Sequence, residues 1–304
     1  MGSYQTGIIL INYNNNADTV DCVKSIASLS GELPFVVVVD NASRERNISE
    51  ELRFYPHLHT IYSDQNLGFG KANNTGITWL KENVACEFLF ILNNDTILRT
   101  DTVEKLLKGF VLSPHAAMVT PKILTMEETP KIWYGGGSFR FPRMTVDVQY
   151  FGESDRELES HAVDFASGCA MLFRTAYFDH EEGFDPAIFM YDEDVELCLR
   201  MKRAGHHIFF VSDAVLFHKC QGSQRDKQKA AVMNQLDASH PSVQFYLSNT
   251  IPNRYYILKK YFSGLQKLKI HASLLTYWMM KSAQYMLKGK VALSLFTTRK
   301  AIGR

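Results

Sequence analysis

The run FVVVVD, residues Phe35–Asp40, holds four consecutive valines with no polar residue between them and ends on a carboxylate. A strand with one wet face alternates apolar and polar positions. One that is apolar throughout is covered on both faces, as in a parallel sheet flanked by helices. Upstream, GIILIN (Gly7–Asn12) is an apolar run of strand length, followed by polar YNNNAD and a helical stretch from Thr19 to Leu29. Downstream come a strand near His59–Ser63, a helix from Lys71 to Glu82, the strand FLFILN (Phe88–Asn93) and a helix over Asp101–Leu112. This alternation predicts an α/β fold with a mostly parallel central sheet and helices on both faces.

The second half is less regular. Trp133–Glu159 is Gly-rich, with three glycines at 135–137, and is expected as a loop or short hairpin. VDFASGCAMLFR (Val163–Arg174) is expected as one strand, and HIFFVS (His207–Ser212) and AVLFH (Ala214–His218) as two more, the last leading into a KCQGSQ loop. FMYDEDVELCLRMKRAG (Phe189–Gly205) is an amphipathic helix, and from Pro241 the pattern is helical and basic. The expected domains are therefore residues 1–240 and a helical C-terminal extension, 241–304.

The chain has 304 residues, 46% hydrophobic and 21% charged, the composition of a globular protein. Its five cysteines (Cys22, Cys86, Cys169, Cys198, Cys220) are odd in number, scattered and free of any CxxC pair, which points to reduced thiols and a cytoplasmic setting. No signal peptide is visible, and no apolar run approaches the roughly 20 residues that span a bilayer. The net charge of +1 hides a division: beyond Asp237 there are eleven Lys and Arg and no acid, so the tail carries +11 and the rest −10.

In a doubly wound sheet, ligands bind beyond the carboxyl ends of the strands. Asn12 and Tyr13, Asp40 and Asn41, and Asn93, Asn94 and Asp95 stand at three such ends. Turn chemistry alone accounts for any one of them; three together point to a ligand site. NNDT (Asn93–Thr96) offers one carboxylate and two amide oxygens, the donor type that hard cations such as Mg²⁺ or Mn²⁺ take. His218 also ends a strand. Gly68 and Gly70, in NLGFGKANNTG, lack the third glycine of a dinucleotide fingerprint, so backbone passing close to a ligand is the expectation there. Asp192, Glu193, Asp194 and Glu196 crowd a helix start, and four carboxylates are more than a helix dipole calls for.

With IILINYNN, VVVVDNAS, NLGFGKANNTGI, LFILNNDTIL, VDFASGCAMLFR, EGFDPAIFMYDEDVELCLRMKRAG and AVLFH in this order, the chain resembles inverting family 2 glycosyltransferases of the GT-A fold, and the bacterial rhamnosyltransferase group among them, from Gly7 to about Lys260. The resemblance implies a Rossmann-like sheet and transfer of a sugar, L-rhamnose from dTDP-rhamnose first, with UDP-linked hexose or galactofuranose the alternative. It implies Asp194 as general base, with Glu193 the fallback, and Asp95 and His218 as ligands of Mg²⁺ or Mn²⁺. Asn93 stands where the family's DxD motif has its first acid. Asp40, Asn12, Asn66 and Asn73 would line the nucleotide pocket with Asn93. Gly168 would let backbone approach the donor sugar, and Arg254 would meet the diphosphate. Trp133 is a candidate acceptor platform and a core residue on equal terms; Asp192 and Glu196 are expected as acceptor contacts or solvated.

The implied partners are a dTDP- or UDP-linked donor and a saccharide acceptor of the polyprenyl-linked kind, in cell-surface polysaccharide synthesis. Two readings of the basic tail stand: peripheral contact with an anionic membrane at the inner face of the plasma membrane, and helices packed on the catalytic domain or on a second subunit as a homodimer. The absence of a nucleic-acid module argues against nucleic acid. A silent GT-A scaffold subunit is the non-enzymatic alternative.

Overall fold

The computed structural model of the chain describes residues 3–219, 241–287, 289 and 291–302. Cys220 and the loop expected after His218 lie outside the described residues. The chain divides into two compact units: residues 1–138, 148–189 and 193–219, and residues 139–147, 190–192 and 220–304.

The first unit is built on a ten-stranded sheet. At its centre, β1 (Ser3–Asn12) pairs in parallel with β2 (Phe35–Asp40) and with β4 (Ala85–Asn93), and β2 with β3 (Leu58–Tyr62). Val36–Val39 are fully buried, as the unbroken apolar run predicts. Helices α1 (Asn16–Ala27), α2 (Ile48–Glu51), α3 (Gly68–Asn83) and α4 (Thr102–Leu112) follow β1, β2, β3 and the β4–β5 region; β5 is Thr96–Leu98.

Beyond β4 the order continues through β11 (Ala170–Arg174), β6 (Ala116–Thr125), β12 (His207–His218) and β10 (His161–Val163), with β11 antiparallel to both its neighbours. Sequence reasoning misses β6 because Pro121 lies within it, and a proline cannot donate to a ladder. The structure accommodates it: Pro121 faces Val211, and β12 shifts register between Val211 and Val215. His207–His218 is thus one irregular strand and not two.

Val163–Arg174 is conversely not one strand: Val163 ends β10, a loop carrying Gly168 follows, and β11 begins only at Ala170, in a different part of the sheet. The stretch expected as loop or hairpin contains β7 (Ile132–Tyr134), paired with β6, and a hairpin of β8 (Gly137–Arg140) and β9 (Thr145–Val148). After α5 (Tyr177–His180), α6 (Glu193–Arg203) buries Val195, Leu197, Cys198, Leu199 and Met201.

The second unit contains α7 (Pro241–Tyr261), α8 (Gly264–Leu287) and α9 (Val291–Ile302). Val243, Leu247, Ile251, Trp278, Tyr285 and Ala301 form its core. Among the described residues no helix is long and apolar enough to cross a membrane. Cys22, Cys86, Cys169 and Cys198 form no disulfide.

Candidate active site

The carboxyl ends of β1 and β2 are tied by a polar hub. Asn12 and Asp40 are wholly buried, and the Asn12 amide donates to Asp40 Oδ2 at 2.8 Å. Asp40 Oδ1 accepts the Ser43 amide hydrogen at 2.9 Å, and Asn12 Oδ1 accepts from the Thr19 hydroxyl at 2.9 Å. Asp40 therefore shapes the loop after β2, where Ala42 holds the left-handed φ of 65° that a residue with a Cβ adopts at a cost.

Asn41 carries the hub outward. Its amide donates to Asn66 Oδ1 at 3.0 Å and to Gly68 O at 3.1 Å, and its Oδ1 accepts from Leu67 N at 2.7 Å. Asn73, on α3, is also wholly buried: its amide donates to Phe69 O at 3.0 Å, while its Oδ1 has no hydrogen-bond partner among the described residues. The glycines between these asparagines make a close approach, but to protein. Gly68 has φ +76°, and a Cβ there would fall 2.1 Å from Phe189 O; at Gly70 it would fall 2.8 Å from Phe184 Cβ. Ligand proximity is thus corrected to packing of α3 on the 184–189 segment.

At the end of β4, the Asn93 backbone amide donates to Cys169 O at 2.9 Å. The short strand β5 runs antiparallel to β12, with Thr96 opposite His218, and this register sets Asp95 beside the imidazole. Asp95 Oδ1 and His218 Nε2 are 3.0 Å apart, with side chains only 16% and 10% exposed. The Trp133 ring stands edge-on to His218, centroids 4.8 Å apart. Cys22 lies against Thr96, and burial, with the nearby Asp95 charge adding to it, pushes its thiol up to about 12.

Whether this pair suits a divalent cation follows from its donor set. An octahedral ion with ligands at about 2.1 Å keeps adjacent ligands about 3 Å apart, and Mg²⁺ is commonly held by one or two protein groups plus substrate phosphates. One carboxylate and one imidazole at 3.0 Å fit that arrangement. No group of three or more His, Cys, Asp or Glu side chains able to hold a metal occurs among the described residues, so the remaining ligands would come from substrate and water.

Lys219, next to His218, is a site residue that sequence reasoning missed. Its ammonium is buried against Asp18 at 2.8 Å and Asp21 at 2.7 Å, and its amide donates to Asp95 O at 2.8 Å. Burial by itself would lower the lysine, but the hydrogen bonds and charges of Asp18 and Asp21 outweigh it and hold its pKa above the ordinary value. The sequence signal is faint: two acids three apart on α1 and a lysine at a strand end.

The acidic cluster resolves into four separate situations. Asp194 Oδ2 accepts the Gly168 amide hydrogen at 3.1 Å, and Oδ1 that of Val195 at 2.8 Å, which leaves the carboxylate partly exposed at the start of α6. Gly168 packs under the Phe69 ring. Glu193 is buried at 8% exposure. Glu196, expected as solvated or an acceptor contact, is wholly buried and paired with Arg200 at 3.3 Å; Arg200 also donates to Glu182 O at 2.9 Å. Desolvation of a carboxylate needs such a partner.

Asp192 belongs to the second unit, where Arg254 pairs with its Oδ1 at 2.6 Å, the Asp192 side chain buried and that of Arg254 14% exposed. Tyr191 and Asp192 both have φ 64°, and Asn253 holds the turn by donating to the carbonyls of Met190 at 3.0 Å and Tyr191 at 2.8 Å. Arg254, expected at a diphosphate, is thus engaged with Asp192.

In the first unit, an amide-bound carboxylate, a carboxylate–imidazole pair and an asparagine-rich wall are linked through backbone bonds at the carboxyl edge of one sheet. Comparison with known proteins agrees with this architecture. The N-acetylglucosaminyl-diphospho-decaprenol L-rhamnosyltransferase of Mycobacterium tuberculosis (strain H37Rv) is 28% identical over 244 residues, covering 73% of this chain and 77% of that protein. Among solved structures, the mannosyltransferase PcManGT from Pyrobaculum calidifontis in complex with GDP-Man and Mn²⁺ matches with a TM-score of 0.57 and 12% identity, over 98% of this chain and 86% of that one. GalNAc-T7 with UDP, GalNAc and Mn²⁺ matches with a TM-score of 0.58 and 14% identity, over 70% of this chain and 43% of that one. At these identities the two structures speak for the GT-A fold. The model of the family described as "Glycosyltransferase like family 2" matches residues 5–244, and the chain belongs to that family of glycosyltransferases.

Proposed function

We propose that this glycosyltransferase moves L-rhamnose, with inversion, from dTDP-L-rhamnose to a hydroxyl of a polyprenyl-linked saccharide in the synthesis of a cell-surface polysaccharide. The observation that carries the reading is the Asp95–His218 pair at 3.0 Å, set at the sheet edge by β5 and β12. The name of the M. tuberculosis relative supports the sugar and the lipid-linked acceptor.

In this reading Asp194 takes the proton of the acceptor hydroxyl as its oxygen attacks the anomeric carbon. The bond from that carbon to the diphosphate breaks, and the nucleoside diphosphate leaves. Asp95 and His218 hold Mg²⁺ or Mn²⁺, which when bound neutralises charge on the departing diphosphate. Asn66 lines the nucleotide pocket, whose wall Asn12, Asp40, Asn41 and the buried Asn73 keep in shape, and Asn93 completes it at the end of β4. Gly168 gives the sugar room beside Asp194, and Trp133 offers a ring edge to the acceptor.

We assign catalysis to residues 1–240 and peripheral attachment at the cytoplasmic face of the membrane to 241–304. Exposed Leu265, Leu268, Met280 and Leu295 among basic residues favour that attachment. The deciding experiment is a thermal-shift panel with dTDP, UDP, GDP and CMP, each with and without Mn²⁺. A ligand at 100 times its dissociation constant stabilises by about 2.7 kcal/mol. A Mn²⁺-dependent preference for dTDP is expected; preference for UDP moves the donor to a UDP-hexose, and no response to any nucleotide sinks the enzyme reading in favour of a scaffold.

A further inference from the structure

The helical unit contains a cavity of about 660 Å³, lined by residues of α7 and α8. Lys259 and Lys267 bring two ammonium groups to it, and His271, one turn along α8 from Lys267, brings an imidazole. Neither lysine has a carboxylate partner among the described residues. The described carboxylates of this unit, Asp147 and Asp192, are each paired with an arginine, Arg140 and Arg254. No acid follows Asp237 in the sequence, so no acidic side chain of α7, α8 or α9 opposes the positive field of the cavity.

Tyr255 adds an aromatic wall, its ring meeting that of His271 edge-on with centroids 5.5 Å apart. The remaining wall is apolar, from Pro252, Leu258 and the tyrosine rings. Leu265 and Leu268 of α8 are 66% and 63% exposed in the same turns that carry Lys267. Two ammonium groups match the charge of a diphosphate diester, and apolar surface beside them matches a hydrocarbon chain attached to it.

We infer that this cavity binds the diphosphate of a lipid-linked molecule, with Lys259, Lys267 and His271 around the phosphates and the chain leaving over the exposed leucines. The identification of that molecule with the acceptor rests on the function proposed above; the anion site does not. A soluble diphosphate shares the head-group chemistry, and the comparison of ligands separates the two.

The test is calorimetric titration of the full-length protein, in EDTA so that no divalent cation serves the sheet-edge site, with farnesyl diphosphate, inorganic pyrophosphate and farnesol. Farnesyl diphosphate should bind saturably and each of the others about tenfold or more weakly. Lys259→Gln with Lys267→Gln should cost about tenfold or more for farnesyl diphosphate. Binding of dTDP with Mn²⁺ in the same preparation should be unchanged, which separates this inference from the donor reading. Unchanged affinity in the lysine variant overturns the site. Pyrophosphate binding as tightly as farnesyl diphosphate overturns the lipid, and farnesol doing so overturns the anion. Should the double variant fold poorly, Lys259→Gln and Lys267→Gln taken singly provide a second comparison, each expected to weaken farnesyl diphosphate and leave farnesol unaffected.

Discussion

Asp194 Oδ2 stands 3.1 Å from the amide nitrogen of Gly168 and accepts its hydrogen, so the carboxylate opening α6 is tied to the loop before β11. The second oxygen is held by the Val195 amide. Asp194→Asn keeps the shape, removes the proton acceptor proposed above and turns one oxygen into a donor facing an amide donor. Transfer should fall by a factor on the order of 10²–10⁴, the usual contribution of a general base, with donor affinity largely kept. Turnover near wild type in a product assay would remove Asp194 from the mechanism.

Asp95→Ala and His218→Ala each remove one member of the pair at the end of β4 and β12. Both should weaken nucleotide binding in Mn²⁺ while leaving affinity in EDTA unchanged. Titration of dTDP and UDP under both conditions reads this directly, and equal losses with and without metal would mean that the pair only supports the fold.

Asp40→Asn tests the hub. Both carboxylate oxygens accept from donors, Ser43 N and the Asn12 amide, and an amide in their place sets two donors face to face in a fully buried position. A loss of about 1–3 kcal/mol in unfolding free energy is expected. A denaturant melt unchanged from wild type would show that the hub adds nothing to stability.

Lys219 gives a pH signature. Its pKa in the fold is raised by Asp18 and Asp21 against the effect of burial. A raised lysine pKa adds stability that is fully present below the unfolded value of about 10.4 and lost as pH climbs through the folded value. The stability gap between wild type and Lys219→Met should therefore be flat from pH 7 to pH 9 and shrink above about pH 10.5. A gap that already closes between pH 7 and pH 9 would contradict the pairing.

Much of the sheet is legible because burial on both faces writes itself as unbroken apolar runs, as in Phe35–Asp40 and Phe88–Asn93. β6 is hidden because Pro121 is a local breaker, tolerated through a register shift in a strand about ninety residues away in sequence. The site follows the same division. Asp95, Asp194 and His218 stand at element ends, where residue type carries meaning. Lys219 with Asp18, separated by 201 positions, acquires meaning only through contact, and the burial of Glu196 depends on Arg200 turning back to the 182–183 backbone.

The antiparallel pairing of β5 with β12 also governs synthesis of the chain. Asp95 waits 123 residues for His218, and β6, with its buried Met118, Val119, Ile123 and Leu124, lacks the parallel neighbour β12 until the chain has been made through residue 218. While it emerges from the ribosome, the nascent protein therefore presents an unpaired hydrophobic strand edge, the kind of surface that seeks another chain. The last of these strands to arrive is at once the lid on that hazard and the carrier of His218. A chain halted before residue 207 should be captured by chaperones or aggregate, whereas one released past residue 219 should resist protease in its sheet.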